Sequence, residues 1–228
     1  MREESREPFM ITEDVLERNV ALVRAKMLDQ LEASLKRGAH YIDQELNGPQ
    51  NFLLRPIIKS FYNMFARPDI DSGSRENLEI CIKAGKEAVS NPNVPLDDIV
   101  EKYFRSYLKN DQTAKYCSKS HRNYRWFVDN TKNTFKAQIH NLIPVLQCEK
   151  ENIETYDDLV IETYKNSDNA KRIFLEQVDY MEKGIQKIKS DPNILSVPAG
   201  KNIIIRVLVR GMKDTKRELL EDIERVFP

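Results

Sequence analysis

From Thr12 onward, apolar residues return at intervals of three, four or seven: Leu16, Val20, Val23, Met27, Leu31, Leu35, Ile42 and Leu46, until Asn47-Gly48-Pro49 breaks the pattern. That spacing places them on one face of an α-helix. Thr12 supplies an N-cap oxygen, and Glu13 and Asp14 put negative charge in the first turn, where the helix dipole favours it. At about 1.5 Å per residue the rod is roughly 50 Å long, wider than a small domain, so it needs company along its length. A long antiparallel bundle or a second subunit would provide it.

The remaining chain repeats the same period. Phe52 to Phe65 is apolar on several sides and predicts a short central helix with Pro56 in its first turn. Arg67 to Ser74 is rich in Pro, Asp, Ser and Gly and predicts a loop, with Ser74 capping a helix that stops before Asn91-Pro92. Pro95 opens the next helix, with Asp97 and Asp98 in its first turn. From about Thr113 to Gln147 a stripe of Cys117, Tyr124, Val128, Thr131, Phe135, Ile139, Leu142 and Leu146 predicts a long helix, with Pro144 kinking it or ending it near Asn141. Thr155 to Asp158 forms a capping box, Ser167 caps the following helix, and Asp191-Pro192 ends that one. Residues 202–209, rich in β-branched side chains, admit a strand. Helix is favoured because Ile204, Leu208, Met212, Thr215, Leu219, Ile223 and Val226 continue one stripe and no second strand offers to pair.

The expected fold is all-α: a bundle of seven or eight helices with a long N-terminal helix, one domain over residues 1–228, with 67–74 as the alternative sub-boundary. Composition agrees. Seven glycines in 228 residues is about 3%, under half of ordinary usage, which counts against turn-rich sheets. No apolar run reaches the ~18 residues of a membrane span, the start MREESREPFM lacks a signal-peptide core, and three scattered cysteines form no disulfide framework. A soluble, cytoplasmic protein without membrane attachment is expected.

Motifs for phosphate loops, nucleophile elbows and zinc sites are missing: GxGxxG, GxxxxGK[ST], GxSxG, HExxH and CxxC do not occur. No cofactor is implied. Cys117 and His121 lie one helical turn apart, but two ligands are half a metal site and a packed thiol and imidazole account for them, so no metal is expected.

Charge is unevenly placed. Lys102 to Lys136 holds nine basic and two acidic residues, a balance of +7, whereas Glu149 to Glu182 holds ten acidic and four basic, a balance of −6. The single tryptophan, Trp126, falls about 180° from the Phe135 stripe, sharing its face with Lys115, Lys119 and Arg122, next to Arg125. This face suits a protein partner or a second copy of the chain, since Trp and Arg anchor interfaces. It also suits nucleic acid, with cations on phosphates and the indole on a base. The plainer alternatives are that Trp126 packs within its own subunit and that the two charge poles neutralise each other. Tyr103, Tyr107, Tyr124 and His121 could line a ligand pocket between helices, or belong to the core with their hydroxyls at its rim. The expected function is a non-enzymatic, self-associating interaction or scaffolding protein. The alternatives are nucleic-acid binding, and ligand binding or catalysis between helices.

Overall fold

In a computed structural model the described residues are 11–46, 56, 67–111, 124–165, 167–190 and 199–227, and they form seven helices and no strand. These are α1 (Glu13–Leu46), α2 (Arg67–Ser90), α3 (Leu96–Asn110), α4 (Tyr124–Leu146), α5 (Tyr156–Tyr164), α6 (Asp168–Ser190) and α7 (Ala199–Val226). The chain is an all-helical bundle with a long N-terminal helix. Residues 202–209 are helical. The expected helix over 52–65 lies outside the described residues, as does the 113–123 part of the rod that was to carry the basic face.

Local chemistry sets most boundaries. Pro95 sits immediately before α3, and Thr155 caps α5, its hydroxyl oxygen accepting from Asp158 N–H at 3.1 Å. One expectation is overturned, and of the two outcomes open at Pro144 one is excluded. The segment 67–74 is the start of α2, not a loop. Pro68 occupies the first turn, where its missing N–H has no intrahelical partner to lose. Asp71 pairs with Arg75 one turn on at 2.8 Å, and Gly73 is buried. Pro144 does not end α4 near Asn141. The helix continues to Leu146 because the carbonyl deprived of a donor belongs to exposed His140, within reach of water. The next carbonyl, on Asn141, accepts from the Tyr164 hydroxyl at 2.5 Å.

The α4 C-terminus is held from α1. Asn19 is 0% exposed, and its amide donates towards Val145 O (3.4 Å), Leu146 O (3.0 Å) and Cys148 O (2.8 Å). Arg18 donates to Asn19 Oδ1 at 2.8 Å, so the amide's acceptor side is also satisfied. A buried polar side chain here meets carbonyls that a helix end leaves without donors.

Three apolar clusters follow. The largest joins Leu16, Val20 and Val23 of α1 to α2, α3, α4 and α5, with Phe135, Ile139 and Leu146 completely enclosed. A second packs Ile42 and Leu46 of α1 on Ile203 and Val207 of α7. The third packs Phe127 of α4 on Ile185 and Ile188 of α6 and Ile205 and Val209 of α7. Helix α4 is therefore covered on two sides, by α2 and α3 on one and by α6 on the other. Helix α1 departs from the expectation of even cover. Its buried residues are Leu16 to Val23 at one end and Ile42 and Leu46 at the other, with none between.

Candidate functional site

The uncovered middle of α1 faces a cavity of about 520 Å³ to which all seven described helices contribute. Four of them line it with the same local pattern. Positions i, i+3, i+4 and i+7 are Met27, Gln30, Leu31 and Ser34 in α1, and Ser74, Asn77, Leu78 and Cys81 in α2. In α4 they are Gln138, Asn141, Leu142 and Val145, and in α7 Thr215, Glu218, Leu219 and Asp222. Each helix thus contributes a polar residue followed directly by leucine: Gln30-Leu31, Asn77-Leu78, Asn141-Leu142 and Glu218-Leu219. One turn of a helix presents both to the same space, so the wall alternates apolar surface with hydrogen-bonding groups. Phe174, Phe227, Tyr107 and Tyr156 add aromatic surface.

The polar wall is ordered. Tyr107 is buried and its hydroxyl donates to Gln138 Oε1 at 3.2 Å. Cys81 Sγ donates to the same oxygen at 3.4 Å, and burial pushes its thiol up to about 12, so it stays S–H. Desolvation likewise holds the Tyr107 hydroxyl well above its ordinary value. Asn141 Nδ2 donates to Gln177 Oε1 at 2.9 Å. Asn77 Oδ1 is buried without a hydrogen-bond partner among the described residues. The wall's guanidiniums are committed: Arg37 to Glu218 at 2.8 Å, and Arg225 to Asp157 at 2.7 Å and Asp222 at 3.0 Å. Burial raises the Asp222 carboxyl above its usual range, while the Arg225 and Lys26 partners hold Asp157 below it.

Of the pocket residues expected from sequence, Tyr107 lines this cavity. Tyr103 does not: its hydroxyl donates to Glu87 at 2.7 Å and its ring lies 5.2 Å from Lys102 Nζ. Tyr124 is half-buried away from the cavity lining, and His121 lies outside the described residues. Of the expected interaction face, Lys115, Lys119 and Arg122 also lie outside them. Arg125 is exposed. Trp126 is half-buried against the third apolar cluster, edge-on to Phe127 at 5.3 Å, with Lys187 Nζ 5.6 Å from its ring. The angular separation from the Phe135 stripe is real, but α6 and α7 cover that second side of α4.

Among the described residues, ion pairs of both charge poles run to other segments. Lys132 and Lys136 pair with Glu101 and Asp97 of α3, and Lys102 with Glu87 of α2. From the acidic pole, Asp157 pairs with Lys26 of α1, and Glu182 with Lys216 of α7. Among the described residues no cluster of three His, Cys, Asp or Glu could hold a metal ion, and no helix is long and apolar enough to cross a membrane.

Apolar periodicity does not mark the polar cavity residues, because it singles out only the leucines beside them. The available signal was a polar residue beside leucine on an otherwise apolar stripe. Models of protein families, curated proteins and solved structures offer no match to this chain.

Proposed function

We propose that this protein binds a small molecule between its helices, in the cavity spanned by the four polar-leucine pairs. The carrying observation is the cavity itself: about 520 Å³, well above what one water occupies, walled by side chains of both characters. The space is partly open to solvent, which gives a ligand a way in, and its apolar surface otherwise stands against water. The ligand reading stands ahead of self-association or nucleic-acid binding at the Trp126 face. The indole those readings require as an anchor is half-buried on Phe127 beneath Lys187.

Nile red, a neutral dye that brightens in apolar surroundings, tests this. Binding to the full chain is expected, and Ser34→Trp or Leu31→Trp should abolish it while the melting temperature holds or rises as the space fills. Undiminished dye binding in both folded variants would remove the cavity as the site.

A further inference from the structure

We infer that the cavity, accepted as a ligand site on the reading above, takes a flat uncharged heterocycle with an imide or lactam edge, of the pyrimidine-dione class. Charge makes the first selection. A phosphate or carboxylate needs a cation to replace its hydration, yet Arg37 is already paired with Glu218, and Arg225 with Asp157 and Asp222. An anionic ligand would have to break one of these pairs.

Hydrogen bonding makes the second. Gln138 uses its carbonyl oxygen for Tyr107 and Cys81, which leaves its N–H groups as donors to the cavity. Asn141 uses its N–H on Gln177 Oε1, so Asn141 retains an acceptor oxygen and Gln177 its N–H donors. Gln138 and Asn141 are one turn apart on α4 and share a face. The wall therefore offers N–H donors at Gln138 and Gln177 and an acceptor at Asn141, and a complementary ligand carries C=O acceptors together with an N–H, as an imide or lactam edge does. Asn77 Oδ1 adds a buried acceptor without a donor among the described residues. An acyl chain would fill the volume but strand these amides without partners, which the apolar gain would have to offset. A planar ring presents its faces to apolar side chains and its edge to the amides.

Calorimetry on the full chain with uridine, 3-methyluridine and uridine 5′-monophosphate, beside Nile red as a site control, tests the assignment. Uridine is expected to bind and to displace the dye. Methylation at the imide nitrogen should weaken binding about tenfold or more, as loss of one buried hydrogen bond with steric exclusion does. The monophosphate should bind no tighter than uridine. Gln177→Leu should lower uridine affinity about tenfold, well beyond any change in the affinity for Nile red, which makes no use of the amide. Dye binding without uridine binding overturns the imide assignment alone, whereas failure of both overturns the cavity reading with it. Equal affinity for 3-methyluridine defeats the donor-acceptor argument, and tighter binding of the monophosphate defeats the charge argument.

Discussion

Helices α1 and α4 carry apolar stripes of the same period, and the bundle treats them differently. Along α4, Thr131, Phe135, Ile139, Leu142 and Leu146 are all buried, three of them completely. Along α1 the stripe is closed at both ends and opens in the middle, where Leu31 and Leu35 remain half-exposed and Leu31 lines the cavity. Periodicity states which face of a helix turns inward. How closely the neighbours approach depends on what stands beside the stripe. Beside Leu31 stand Gln30 and Ser34, and the facing helices answer with Asn77, Asn141 and Glu218. Polar groups on several walls keep the helices apart at that level, because burying them together without partners would cost more than the apolar contact returns.

The sharpest way to break this contrast is to truncate one residue on each stripe. Phe135 is 0% exposed and stacks on Tyr107 at 4.4 Å, so Phe135→Ala should lower stability by about 3–5 kcal/mol. Leu31→Ala, on a half-exposed side chain already facing open volume, should cost only about 1 kcal/mol. Urea denaturation of both variants measures the difference. Equal losses would mean that the middle of α1 is as tightly packed as α4 and that the cavity is closed in solution. Between these falls Asn19→Leu. It removes the amide that reaches three carbonyls at the end of α4 and leaves Arg18 with only the Cys148 carbonyl at 3.3 Å as acceptor, for an expected loss of about 1–3 kcal/mol. A loss well below that range would show that water replaces Asn19 readily and that the α4 terminus is not sealed.

The parts of the fold that were legible in sequence are those whose cause is local. Ser90 ends α2 just before Asn91-Pro92, Pro95 precedes α3, and the Thr155 cap opens α5, each decided within one turn of chain. The 67–74 stretch misled because Pro, Asp, Ser and Gly are loop formers in isolation. Here the proline falls in a first turn and Gly73 is buried by a neighbouring surface that no local rule reveals. Trp126 misled for a related reason: the helical wheel places it opposite Phe135 correctly, but whether that side meets water depends on α6, whose residues come over forty positions later. The candidate site was hardest to see. Its polar-leucine pairs belong to four helices spread from residue 30 to residue 219, and each pair alone resembles an ordinary amphipathic boundary.

Two glycines carry the comparison to its smallest expected effect. Gly85 of α2 faces the sealed side of α4: a Cβ there would lie 3.2 Å from Leu146 Cδ1 and 3.4 Å from Leu142 Cβ. Leu146 is fully enclosed and has no room to retreat, so Gly85→Ala should destabilise despite the better helix propensity of alanine. Gly211 of α7 has no such neighbour, since nothing lies within 4 Å of the added atom. Gly211→Ala should therefore stabilise by about 0.5–1 kcal/mol, through the backbone entropy that glycine loses on folding. Melting curves of the two variants against the parent chain distinguish close helix contact from open space by the sign of the shift. A gain at both positions would mean that α2 can move away from α4, and the contrast between the sealed and the open stripe would then be one of degree rather than of kind.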